Sequence, residues 1–295
     1  SITINVAPVA DPATLAFGSL APLTAGDAQV NTTVTGVQSF SAVTGLPGGG
    51  HVVVWRSVTG AGTPPNEICD VFMKIYDSSG GVVLDETRVN TQLGGISIHT
   101  YPTVETLADG TFIVGWMMWT GGTNFFELQA RRFAADGAPF ATPGAPNGEI
   151  SFTNLTPTDE RFPSISAHPD GGFVVTWSKP DTGQLGTREV YVQRYDTSSV
   201  AIAPAEKVSQ SGDFSQIARV AVRDDGSFMV VWESSTTDYS ESDVRGRVYD
   251  ANGQPVGSEF VLSNTVVDSQ TKPNVAVLDN GDYIVTWSTF LQNGV

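Results

Sequence analysis

The chain has 295 residues, 31 acidic and 15 basic side chains, and a net charge of −16 at pH 7. So acidic a surface repels phosphate backbones and anionic lipids, which excludes nucleic acid and membranes as expected partners. No apolar run approaches the ~20 residues of a membrane-spanning helix, and the single cysteine, Cys69, excludes an intramolecular disulfide and a cysteine-based metal site.

The N-terminal part of the chain precedes the regular pattern. Residues 1–12 alternate like a short strand and then contain prolines, so we predict a linker or a terminal strand of a preceding repeat domain. Residues 13–33 share an apolar-aromatic pair and an Asn-Thr ending with residues 246–266. We therefore predict that residues 13–33 are a degenerate second half of a repeat.

From residue 40 onwards, a unit of four strand-like runs recurs. Its second run reads HVVVW, FIVGW, FVVTW, FMVVW and finally YIVTW, and the tryptophans recur at intervals of 61, 61, 55 and 55 residues. Asp-Gly or Asn-Gly lies between the first and second runs of four units, where a tight hairpin needs positive φ angles. The repeated tryptophans are Trp55, Trp116, Trp177, Trp232 and Trp287.

This repeat predicts an all-β fold. No stretch has apolar residues at helical spacing over three turns. Four short strands per unit match a β-propeller blade, whereas an immunoglobulin-type sandwich needs about 100 residues. Nearly continuous apolar runs indicate sheets buried on both faces, so we predict that the five tryptophans pack between blades. Counting runs predicts a five-bladed propeller over residues 13–295, with N- and C-terminal strands sharing one blade.

Three segments carry a resemblance to a known family. ITINVAPVADP (2–12), VRGRVYDANGQPVGSEFVLSN (244–264) and QTKPNVAVLDNGDYIVTW (270–287) resemble repeats of large bacterial secreted and surface proteins of the RTX and cadherin-like adhesin type. The resemblance implies type I secretion, an extracellular or cell-surface location and calcium dependence of the parent protein. We accordingly predict a non-catalytic structural or binding module, acting as a scaffold, in adhesion or in docking to a protein assembly.

Two alternatives involve glycans. Repeated aromatic residues are compatible with a lectin-like glycan-binding propeller. The size also resembles five-bladed glycoside hydrolases of the arabinanase type, in which inner-strand carboxylates act as acid and base. The strand carboxylates here fall at different repeat positions, so the sequence predicts no enzyme. These carboxylates are Glu105, Glu127, Glu189 and Glu259.

Two further features are candidate sites. Trp119, Phe125 and Phe126 lie in an aromatic-rich loop segment, together with Tyr101 outside it, and predict a contact surface for a protein or a surface glycan. Packing beneath the loop is the alternative. Acidic turns are candidates for Ca²⁺, although no EF-hand pattern occurs and hairpin formation is the favoured explanation. The acidic-turn residues are Asp224, Asp225, Asp279 and Asp282, and the histidines, predicted at the surface, are His51, His99 and His168.

Overall fold

The structure is a computed structural model that describes eleven stretches of the chain. These are residues 29–33, 36–60, 68–91, 97–119, 126–146, 148–152, 159–180, 187–210, 214–235, 242–263 and 269–290. They contain eighteen strands and no helix; none of the described segments therefore forms a helix able to cross a membrane. The predicted linker, 1–12, lies outside the described residues.

The strands pair antiparallel within successive blades whose first strand is innermost, and one parallel bridge, between Cys69 and Ile98, joins the first two blades into an eight-stranded sheet. Blade 1 contains β1 (Gln38–Gly45), β2 (His51–Val58), β3 (Cys69–Tyr76) and β4 (Val82–Arg88). Blade 2 contains β5 (Ile98–Thr106), β6 (Phe112–Trp119), β7 (Glu127–Phe133) and β8 (Glu149–Ser151). Blade 3 contains β9 (Arg161–Ala167), β10 (Phe173–Pro180), β11 (Arg188–Tyr195) and β12 (Glu206–Lys207). Blade 4 contains β13 (Phe214–Val222), β14 (Phe228–Ser235), β15 (Ser242–Tyr249) and β16 (Phe260–Val261), and blade 5 contains β17 (Ser269–Val277) and β18 (Tyr283–Phe290).

The first hairpin of a blade depends on the Asp-Gly pair. In blade 2, Gly110 has a φ of 83°, a conformation that L side chains rarely adopt. Asp109 Oδ1 accepts hydrogen bonds from Thr111 N at 3.0 Å and from Thr111 Oγ1 at 2.6 Å, which closes the turn. The corresponding glycines of blades 3 to 5 have the same positive φ; they are Gly171, Gly226 and Gly281.

Apolar side chains fill the spaces between neighbouring blades. Trp232 is fully buried, between blade 3 residues such as Val190 and blade 4 residues such as Val220. Trp116 and Trp177 occupy the same position between blades 1 and 2 and between blades 2 and 3. Every position of β14 is buried because the strand has an apolar core on both faces. Consequently these strands do not alternate apolar and polar residues, as the strands of a sheet with one solvent-exposed face do.

The chain just before β1 contacts blade 1 as the end of one blade contacts the next. Thr32 donates from its backbone N to Glu86 of β4 at 2.6 Å. The Oγ1 of Thr91, which follows β4, donates to Glu149 of β8 in blade 2, as the Oγ1 of Thr32 also does to Glu86. Thr32 therefore occupies the place where the fourth strand of a preceding blade ends. The innermost strands of five blades surround one channel, so the prediction of an all-β, five-bladed propeller is confirmed.

Candidate functional site: the central channel

The five innermost strands enclose a channel of about 710 Å³. All five strands run along the channel in the same direction, so equivalent positions of the five blades form layers along the channel. Adjacent layers of side chains that face the same way lie two residues apart, or about 7 Å along a strand. The lining residues thus form an aromatic layer at the mouth, a polar layer below it, and a deeper layer that contains Glu105.

A bulge at the mouth recurs in every blade. The register of each innermost strand shifts near its start, for example between Ser39 and Ala42 in β1. In each blade, one non-glycine residue of this bulge has a φ between 52° and 58°, the left-handed region that costs such residues about 1–2 kcal/mol. Because all five blades carry the bulge, it belongs to the architecture, and only the side chains differ. The bulge residues are Phe40, Tyr101, Phe162, Ile217 and Lys272.

Blades 1 to 3 place aromatic rings at this position. The ring centroids of Phe40 and Tyr101 are 4.1 Å apart, and those of Tyr101 and Phe162 are 5.1 Å apart with the rings perpendicular. Phe40 is 43% exposed and Tyr101 is 38% exposed, although all three rings line the channel. Partly exposed aromatic faces of this kind offer an apolar surface for a ligand. We call these three residues the aromatic triad.

The next layer supplies hydrogen-bonding groups. Thr103, Ser164, Arg219 and Asn274 occupy the same register position in blades 2 to 5, and all four line the channel. Burial lowers the pKa of the Arg219 guanidinium. The layer therefore offers hydroxyl, amide and guanidinium groups to a polar ligand.

Glu105 lies one layer deeper. It is the one carboxylate among the described residues that line the channel. Its Oε1 accepts a hydrogen bond from Ala167 N of the next blade at 3.1 Å, which orients the carboxyl group. Burial raises the pKa of Glu105, and the hydrogen bond from Ala167 opposes this only in part. A carboxyl group that holds its proton more tightly than usual is suited to general acid catalysis.

The other strand carboxylates that the sequence singled out lie elsewhere. Glu189 pairs with Lys207 and accepts a hydrogen bond from Tyr191. Glu259 pairs with Arg245 at 2.8 Å. Neither of these carboxylates, nor Glu127, lines the channel. Glu189 and Glu259 therefore serve as interstrand ion pairs.

The structure separates the predicted contact residues. Phe126 is half-buried against the core between blades 2 and 3, with the Arg161 guanidinium 5.2 Å from its ring centroid. Trp119, at the end of β6, is also half-buried, and Phe125 lies outside the described residues. Tyr101 instead belongs to the channel mouth. Its signal in the sequence was the aromatic-Pro pair at the start of the first run, Tyr101-Pro102 and Phe162-Pro163, which the repeat analysis left unused.

The structure also bears on the predictions for calcium and histidine. Asp225 Oδ1 accepts hydrogen bonds from Ser227 N and Oγ within its own hairpin, and in the described stretches no three His, Cys, Asp or Glu side chains form a metal-binding group. The prediction of surface histidines is wrong for His99 and His168, which are 0% and 6% exposed, because both lie against neighbouring blades.

The fold matches solved structures at low sequence identity. No protein-family model and no curated protein matches the sequence. A protein of unknown function from Dyadobacter fermentans has a TM-score of 0.60 at 13% identity, covering 85% of this chain and 74% of that one. An α-L-arabinofuranosidase from Fusarium graminearum, in complex with an iminosugar inhibitor, has a TM-score of 0.59 at 11% identity, covering 84% and 74%. An α-L-arabinanase from Penicillium chrysogenum, complexed with arabinobiose, has a TM-score of 0.56 at 16% identity, covering 84% and 74%.

These neighbours correct the predicted function. The prediction of a non-catalytic structural, adhesion or docking module is wrong, as is the prediction that the chain is not an enzyme, because two of the three named neighbours are an α-L-arabinofuranosidase and an α-L-arabinanase. Those predictions took the repeat as evidence against catalysis. In a propeller, however, the repeat builds the scaffold, and one non-repeated side chain on an inner strand is enough to make the channel chemically distinct.

Proposed function

We propose that this protein is a glycoside hydrolase whose site is the central channel. The position of Glu105 carries the proposal: it is a half-buried carboxyl group with a raised pKa, in a channel whose mouth is lined by aromatic rings. The fold is that of arabinan-degrading enzymes at TM-scores of 0.56 and 0.59, which supports the same assignment. The extracellular location implied by the resemblance to secreted repeat proteins is where a polymeric glycan would be met.

The three layers correspond to the three tasks of such a site. The aromatic triad would hold the apolar face of a sugar ring, and Thr103, Ser164 and Asn274 would take its hydroxyl groups. Glu105 would then donate a proton to the oxygen that leaves as the glycosidic bond breaks. Hydrolysis of this kind uses a second carboxyl group, as base or nucleophile. The described residues that line the channel include no other carboxylate, so the proposal assigns Glu105 alone.

We expect Glu105→Gln to lower kcat/KM by about 100-fold or more, because the amide has no proton to donate. The measurement is a hydrolysis screen on arabinan, arabino-oligosaccharides and other plant and bacterial polysaccharides, followed by kinetics on the best substrate. Glu127→Gln is the matched control, since Glu127 is half-buried on β7 and does not line the channel.

The melting temperature of Glu105→Gln checks that the variant is folded. The folded-state pKa of Glu105 is raised, so its favourable contribution is complete below its ordinary pKa of 4.5 and is lost as pH rises through the folded value. Glu105→Gln should therefore melt above the wild type at pH 7 and lose this advantage near pH 4. Wild-type protein that binds glycans without cleaving any would contradict the hydrolase assignment.

The aromatic triad gives a separate test through binding. We expect Tyr101→Ala to weaken oligosaccharide binding by roughly 5- to 10-fold, because the central ring of the triad contributes about 1 kcal/mol of contact with a sugar face. The loss of affinity is measured by isothermal titration of an oligosaccharide into Glu105→Gln protein, with and without Tyr101→Ala, because the oligosaccharide is not cleaved in this background. Tyr76→Ala is the control, because Tyr76 stacks on His51 outside the channel. Equal losses in the two variants would show that the triad does not contact the ligand.

A further inference from the structure

Arg219 of the innermost strand β13 has no acidic partner among the described residues, unlike two other arginines of the blades. Arg132 pairs with Asp109 and Arg161 pairs with Asp159. Arg219 makes one hydrogen bond within the described residues, from Nη1 to the carbonyl oxygen of the adjacent Ala218 at 2.9 Å. A guanidinium group has five N–H donors, so most of those on Arg219 are left for another acceptor.

The lack of an acidic partner is energetically unfavourable for Arg219 because of where the residue lies. The residue is half-buried in the channel wall, and burial alone lowers its pKa, with no neighbouring carboxylate to counter the effect. Burying a charge without a partner is unfavourable. The chain carries 31 acidic side chains, yet none of the described ones lies beside this guanidinium. A charged group retained in such a place is typical of a ligand site.

The side chains around Arg219 indicate which other chemical groups the ligand has. The repeat-equivalent positions in neighbouring blades are Ser164 and Asn274, which are neutral hydrogen-bonding groups. The aromatic triad forms the mouth on blades 1 to 3, and blade 3 packs directly against blade 4. A matching ligand has an apolar ring face, several hydroxyl groups and one anionic group. A planar guanidinium binds a carboxylate with two parallel hydrogen bonds, which a neutral sugar cannot provide.

We propose that Arg219 binds the carboxylate of an acidic sugar, so that the preferred substrate is a glycan containing uronic acid or a similar carboxylated residue. The inference rests on the proposed function, since it names the substrate class of the same channel. The net charge of −16 disfavours polyanions over the surface as a whole. Recognition of an acidic glycan is therefore assigned to the Arg219 guanidinium, the one cationic group among the described residues that line the channel.

The experiment compares matched ligands by isothermal titration. Oligogalacturonate is paired with galacto-oligosaccharide of equal length, and oligoglucuronate with the corresponding gluco-oligosaccharide. The wild type should bind an acidic member at least about 10-fold more tightly than its neutral partner. Arg219→Gln should remove that preference by weakening the binding of the acidic member. Arg219→Lys should recover part of it, because lysine keeps the charge and loses the two-point geometry.

Two controls separate a binding role from a structural one. Arg223→Gln makes the same change in charge four residues further along, where the guanidinium stacks on Tyr283 outside the channel, and should leave the preference unchanged. The melting temperature of Arg219→Gln should equal or exceed that of the wild type, because an unpaired buried charge is removed. A lower melting temperature with equal loss for both ligands would overturn the proposal by making Arg219 structural.

The remaining outcomes distinguish this inference from the proposed hydrolase. Neutral glycans that bind and are cleaved as well as acidic ones would overturn the role of Arg219 and leave the hydrolase intact. Arg219-dependent binding of acidic glycans with no cleavage of any would support the carboxylate site and contradict the hydrolase. Absence of binding by every ligand of the panel would overturn both.

Discussion

Replacing Trp232 with alanine should lower the free energy of unfolding by about 3–5 kcal/mol, the range found when large aromatic side chains are removed from a core. Trp232 is 0% exposed and lies between the sheets of blades 3 and 4. Backbone pairing within each sheet keeps both sheets rigid, so they cannot close the space that the indole leaves. Denaturant unfolding followed by circular dichroism measures the loss as a lower midpoint at unchanged slope.

Two other variants set the scale for this result. Trp232→Phe should cost clearly less, because the ring contact remains and the indole Nε1 has no hydrogen-bond partner within the described residues. Trp287→Ala, at the same repeat position in blade 5, should also cost less, since Trp287 is only half-buried. Equal losses for Trp232→Ala and Trp287→Ala would contradict the dependence on burial between blades.

Acidification should destabilise the protein through His99. This side chain is 0% exposed between blades 1 and 2, and neither ring nitrogen has a hydrogen-bond partner among the described residues. Burial lowers the pKa of His99 from 6.5 to about 4, with Arg88 lowering it further and Asp70 opposing the shift. The neutral ring is therefore the form that fits the fold.

The sign of this effect follows from the depressed folded pKa. The stabilisation is complete above pH 6.5 and is lost as pH falls through about 4, and at 1.4 kcal/mol per pKa unit it amounts to about 3 kcal/mol. We expect the difference in unfolding free energy between wild type and His99→Gln to change by about this amount between pH 7 and pH 4. Taking the difference removes the carboxylates that titrate in both proteins. Parallel pH profiles for the two proteins would rule out His99 as the source.

The repeat in the sequence was sufficient to predict the blades. Runs such as FVVTW are apolar at consecutive positions, which requires a sheet buried on both faces, and the recurrence of Trp177 and its equivalents requires that successive sheets stack alike. Asp-Gly pairs marked the hairpins because Gly110 and its equivalents need a positive φ. The apolar runs and the turn residues are local features of the sequence, and they recur in successive repeats.

The candidate site depends on contacts between units. Phe40, Tyr101 and Phe162 are about sixty residues apart in succession, and only the packing of adjacent blades brings their side chains within contact distance. Glu105 looked like one of several scattered strand carboxylates until the register showed that it alone among them lines the channel. The bulge in each innermost strand determines which side chains reach the mouth. It shifts the register, so side chains beyond it do not follow the strict alternation between the two faces of the strand that the sequence pattern alone predicts.

The amino-acid sequence by itself thus determined the class of fold and the number of blades, because apolar periodicity and turn chemistry act over a few residues. The tertiary structure alone decided which polar groups share the channel, that Arg219 faces it without an acidic partner among the described residues, and that burial raises the pKa of Glu105. Those properties depend on distance and desolvation across blades, and neither is encoded within a single repeat.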